Sequence, residues 1–108
     1  MKSARLDRGA DVAFLTMPTD RLVLFQALIE SSENLAIVRT IHADCGLVAL
    51  IFSQDQEKDL CSFLLSLEDR WQIRMLERSE ASVMLSNAGL ELTDEVILGT
   101  TGIPGDTA

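Results

Sequence analysis

Two short runs constrain the fold of this chain more than any other feature. The segments "VAFLTM" (residues 12–17) and "GLVALIF" (residues 46–52) are apolar at odd and even positions almost alike. Side chains alternate sides along a strand, so each run, when extended, presents apolar groups to both faces of a sheet. Strands of that kind belong at the centre. The rest of the chain has to supply the edges of that sheet and whatever covers its faces.

The segments between and after these runs read as alternating helices and strands. Pro18 stops the first run, and Pro18 and Thr19 open a helix with Asp20 in its first turn. Leu22, Phe25, Leu28 and Ile29 recur there at helical spacing, and the helix is expected to stop at Glu33 and Asn34, since Asn tolerates a left-handed cap. "LAIVRTIH" (residues 35–42) is a strand with Leu35, Ile37, Arg39 and Ile41 on one face and Ala36, Val38, Thr40 and His42 on the other. "ADCG" then turns the chain into the second apolar run, with Gly46 suited to a positive φ. Ser53 and Gln56 have the spacing of a capping box, followed by a helix to about Asp69 whose stripe is Leu60, Phe63, Leu64 and Leu67. "WQIRML" (residues 71–76) alternates Trp71, Ile73 and Met75 against Gln72 and Arg74, the pattern of a half-exposed strand.

Strand, helix, strand, strand, helix, strand is the order of the ferredoxin-like α+β sandwich, an antiparallel four-stranded sheet with two helices on one face. That topology places the first and third strands centrally, where the doubly apolar runs want to be. The expected organisation is a flexible segment over residues 1–10, the sandwich over 11–78, and an acidic, partly disordered extension over 79–108. Helices on one face alone leave a second apolar face open. A second copy, the extension, a ligand or a partner protein has to cover it.

Composition narrows the function classes. The chain carries 9 basic and 17 acidic residues, a net charge of −8, and none of the basic residues follows Arg78. Such a balance argues against a nucleic-acid partner. The longest apolar run, "LVLFQALIE", is nine residues, so no membrane span is expected. Cys45 and Cys61 make no disulfide framework, and "MKSARLDRGADVAF" lacks a signal-peptide core, which points to a cytoplasmic protein with reduced thiols. At 108 residues the chain is one domain that needs no metal or disulfide to fold.

Several of these features together carry a resemblance. A strand followed by Pro-x-Asp (Pro18 and Asp20), a helix, the strand "LAIVRT" (residues 35–40), a short turn and an apolar strand before a second amphipathic helix resemble a small bacterial family, domain of unknown function 4911, over residues 12–76. Where this chain has Asn34, a common variant of the family has Gly. The resemblance implies a compact α+β domain and supplies no activity, cofactor or catalytic residue.

Chemistry-bearing residues are few. His42, Asp44 and Cys45 fall within four residues, but a metal site needs three or four converging ligands at conventional spacings, which the chain lacks. The turn reading is favoured. No cation beside Cys45 in sequence would lower its pKa. Cys61, beside Leu60 and Leu64, reads as a small core residue. No serine sits in a glycine-flanked elbow, the "GTTGIPG" segment follows no strand, and Asp20 with Arg21 and Glu68 to Arg70 read as solvated helix-end charges. No catalytic, metal or cofactor residue is assigned, and no cofactor is expected.

Arg39 interrupts an apolar face, so it pairs across an interface or protects an edge, and Trp71 is a candidate interface anchor. With His42 and Cys45 these are the interface or ligand candidates. The sequence favours a non-enzymatic module that forms a homodimer, or binds a protein partner or small ligand, at the open sheet face. ACT-type regulatory domains, which bind small ligands between subunits, share that architecture by analogy of fold alone. The alternative is a small metal-dependent or thiol-using enzyme built on His42, Asp44 and Cys45.

Overall fold

Strands Asp11–Thr16 (β2) and Leu47–Phe52 (β4) pair antiparallel along their full length, from Asp11 opposite Phe52 to Thr16 opposite Leu47. Every residue of β4 and five of the six in β2 are buried, as strands covered on both faces must be. The computed structural model describes residues 4–5, 11–32 and 35–98. The predicted helix stop at residues 33–34 and the glycine-rich segment from residue 99 lie outside these.

Strand Ile37–His42 (β3) pairs with the free side of β4. Arg74–Leu76 (β5) pairs with the C-terminal half of β2, and Ala4–Arg5 (β1), within the segment predicted to be flexible, pairs with its N-terminal end. The two doubly apolar runs therefore occupy the middle of an antiparallel sheet. Helices Leu22–Glu30 (α1) and Glu57–Trp71 (α2) contribute Phe25, Ile29, Leu60 and Leu64 to a core against Ala13, Leu15, Val38, Val48 and Leu50.

The second face corrects the expectation of helices on one side and an open sheet on the other. Arg78–Asn87 (α3) and Asp94–Leu98 (α4) pack on it, so that Ala81, Leu85, Leu92 and Ile97 share a second core with Val12, Phe14, Leu47, Ala49, Ile51 and Leu76. Residues 79–98, expected within a partly disordered acidic extension that was one of the possible covers, are ordered and close the face together with Arg78. The result is helix, sheet, helix in three layers. Among the described residues no helix is long and apolar enough to cross a membrane.

Local chemistry explains why this segment is helical. The Glu77 amide donates to Glu80 Oε1 at 2.8 Å, half of a capping box at the start of α3. Gly89, at φ +79°, ends it in a Schellman motif: Leu90 N–H donates to Leu85 O at 2.8 Å and Gly89 N–H to Ser86 O at 2.9 Å. Thr93 then caps α4, its Oγ1 accepting from Val96 N–H at 3.1 Å. Arg78 donates to Asp94 Oδ1 at 2.7 Å and ties the beginnings of the two helices together.

Three boundaries differ from expectation. A 3-10 turn, Thr19–Arg21, precedes α1, so the α-helix proper begins at Leu22. The expected Ser53–Gln56 capping box does not form. Ser53 is extended, its side chain makes no cap bond, and its carbonyl instead accepts from Gln56 N–H at 2.9 Å in a second 3-10 turn, Gln54–Gln56.

Trp71 does not open the last strand but closes α2. The chain leaves that helix through Gln72 at φ 54°, with Ile73 N–H donating to Glu68 O at 3.2 Å. This left-handed position costs a residue with a Cβ about 1 kcal/mol, so Gln72→Gly is expected to raise the unfolding free energy by roughly that amount. Chemical denaturation measures it, and a loss of stability would mean the turn is held by the Gln side chain.

Candidate functional site

The segment His42–Gly46 is a turn fixed at both ends. Ala43–Cys45 form one 3-10 turn and Gly46, at φ 66°, closes it, with Gly46 N–H donating to Ala43 O at 3.0 Å. The Met17 amide donates to Gly46 O at 3.1 Å, fastening the turn to the end of β2. A Cβ at Gly46 would collide with the Met17 carbonyl oxygen. Only glycine meets both requirements.

The three polar residues of this turn do not gather. Asp44 and Cys45 are exposed and His42 is half-buried. A bulge at Ile41 places His42 opposite Leu47, on the register of the second core, rather than on the Val38 face that strict alternation predicts. Among the described residues no three His, Cys, Asp or Glu side chains are grouped to hold a metal ion.

Arg39 stands opposite Ala49, so it lies on the face covered by α3 and α4, between Ile37 and Ile41. It is exposed there, at the rim of the second core on the outer strand of the sheet. That edge is irregular because of the bulge and carries a charge, two features that discourage strand addition.

Trp71 is half-buried at the C-terminal end of α2 and clamps the two helices of its layer. Its ring meets Phe25 edge-on, with centroids 6.2 Å apart and planes at 63°. The Arg21 guanidinium lies 5.9 Å from the Trp71 centroid and donates to Arg70 O at 2.7 Å. These contacts are packing within the monomer. Trp71→Ala is expected to cost about 2 to 3 kcal/mol by loss of ring contacts and burial. Thermal unfolding checks this, and a near-neutral result would make the clamp ornamental.

Cys61 is half-buried rather than a core residue. With Gln54, Glu57, Lys58 and Ser62 it lines a shallow, open depression of about 460 Å³. Such a surface lacks the enclosure of a small-molecule site.

The surface that the sequence reading missed is the outer side of α1. Seven of its nine residues, "LVLFQALIE", are apolar, more than one buried face requires. Phe25 and Ile29 enter the core, while Val23 and Leu24 are 82% and 63% exposed and Ala27 is exposed one turn further along the helix. On α2, in the same layer, Leu65 is 63% exposed. The excess of apolar residues in α1 was the available signal.

No curated protein and no solved structure matches this chain. The family model for domain of unknown function 4911 matches residues 11–70, from β2 through nearly all of α2, and stops before α3. That stretch is 60 of the 108 residues, and the chain belongs to the domain of unknown function 4911 family.

Proposed function

We propose that this is a non-enzymatic, cytoplasmic association module whose working surface is the outer face of α1. One observation carries the reading: Val23 and Leu24 stand 82% and 63% exposed on a helix that is apolar nearly all round. A helix with that composition is ordinarily covered on every side. The strand order, with β2 and β4 central, supports assignment of the sheet and the α1–α2 layer to the ferredoxin-like arrangement, with α3 and α4 added on the opposite face.

Val23→Ser with Leu24→Ser tests the surface. Substitution of side chains this exposed is expected to change the unfolding free energy by less than about 0.5 kcal/mol each, while lowering the binding of an apolar fluorescent dye to the native protein. A stability loss above about 2 kcal/mol would show that both residues are structural and would remove the reading.

Self-association is the second reading, and the observation favouring it is Ile37, 60% exposed on the outer strand β3. Ile37 lies in the regular part of that strand, ahead of the bulge between Thr40 and His42 that discourages strand addition further along. A homodimer formed there joins two sheets edge to edge. Light scattering over a wide concentration range decides it. A dimer that disappears with a proline at Ile37 supports edge pairing, and monomers throughout sink it.

A further inference from the structure

The charge around the exposed stripe of α1 says what kind of partner fits it. Over residues 19–30 and 54–71, which include both helices of this layer and their leading turns, there are seven acidic and three basic residues. Arg21 is already committed to Arg70 O and the Trp71 ring. Asp20 and Glu30, both exposed, stand at the two ends of the α1 stripe, and Asp59 and Asp69 are exposed on α2. The apolar stripe thus has a carboxylate at each end, on an acidic layer of a chain whose net charge is −8.

Two copies meeting through this surface would bring like charges together, whereas a cationic partner gains attraction and steering. The shape of the stripe points to a helix. Val23, Leu24 and Ala27 follow the i, i+1, i+4 spacing along which a second helix packs, and the small Ala27 allows close approach at the C-terminal end of the stripe. The α1–α2 layer also lies within the part of the chain that the family model matches, while α3 and α4 do not. We propose that the outer face of α1 receives a cationic amphipathic helix of a partner protein. Its apolar side lies on Val23, Leu24 and Ala27, and its Lys and Arg side chains face Asp20 and Glu30 at the two ends of the stripe. This inference rests on the α1 docking reading and adds the chemistry of the partner.

Three synthetic helical peptides test it on the intact chain: one with a Leu stripe and Lys elsewhere, one with the same stripe and Glu elsewhere, and one Lys-rich with Gln replacing Leu. Calorimetry gives affinities at about 0.15 M salt, where surface charge attraction is already partly screened, and amide chemical shifts locate the site. The Lys/Leu peptide is expected to bind with shifts centred on α1, at least about tenfold tighter than either other peptide. Val23→Ser with Leu24→Ser is expected to weaken it at least about tenfold.

Equal binding of the Lys/Leu and Glu/Leu peptides at α1 overturns the charge inference and leaves the docking face standing. Binding matched by the Lys/Gln peptide, or unaffected by the double substitution, is attraction to net charge alone and overturns the inference. Absence of binding by both Leu peptides overturns the inference and the docking face together. A native dimer abolished by the double substitution assigns the face to a second copy and overturns the partner class.

Discussion

Truncation after Glu77 is expected to yield a chain that no longer folds as a soluble monomer. The cut removes α3 and α4 and with them Ala81, Leu85, Leu92 and Ile97, all buried against the sheet. Burial of a Leu or Ile contributes about 1.5 to 3 kcal/mol, so the three large side chains alone account for roughly 5 to 9 kcal/mol, comparable with the whole stability of a small domain. What remains exposes Val12, Phe14, Leu47, Ala49, Ile51 and Leu76 as one continuous apolar surface. Circular dichroism and light scattering of the truncated chain are expected to show unfolded or aggregated protein. A soluble monomer with an unchanged melting temperature would mean that the helices are dispensable and the second core contributes little.

Gly46→Ala is the single substitution expected to do the most damage. The left-handed backbone at φ 66° costs a residue with a Cβ about 1 to 2 kcal/mol. The new methyl group must also displace the Met17 carbonyl, which disturbs the bond from Met17 N–H to Gly46 O. Together the expected loss is about 3 kcal/mol or more, with a fall in melting temperature of roughly 10 °C or greater. Asp44→Ala and Cys45→Ala, exposed in the same turn, are expected to stay within about 0.5 kcal/mol of the parent. A loss below about 1 kcal/mol for Gly46→Ala would show that the turn adjusts and is not fixed to β2.

These two predictions fall on opposite sides of what sequence reading reached. The turn was readable because glycine at a hairpin end is a local signal, and β2 and β4 were readable because only centrally placed strands tolerate apolar residues on both faces. Residues 79–98 were readable only as one possible cover of the open face, not as two helices. Their buried positions, 81, 85, 92 and 97, are spread over two short helices and the glycine-containing connection between them, so neither helix shows a long periodic stripe. The capping signals were nonetheless there, in Glu77 with Glu80 and in Thr93 ahead of Asp94 and Glu95.

The other differences have similar physical causes. Trp71 was assigned to a strand by its alternation with Ile73 and Met75, but its contacts with Phe25 and Arg21 reward another half-turn of helix. His42 changed face because a one-residue bulge shifts alternation, and nothing in "RTIH" announces that bulge. For α1, periodicity identified the buried side correctly at Phe25 and Ile29. The excess lay on the opposite side, where Val23 and Leu24 are largely exposed.

The closing of the second sheet face by the chain's own α3 and α4 moves the candidate surface from the sheet to α1, and nuclear Overhauser contacts test it most directly. In uniformly labelled protein, contacts are expected between methyl groups of Val12, Leu47 and Ile51 and those of Leu85, Leu92 and Ile97. In a mixture of labelled and unlabelled chains that reports only contacts between molecules, the same cross-peaks are expected to be absent. Their appearance only between molecules, or not at all, would contradict the closed face and return the sheet to candidacy as the binding surface.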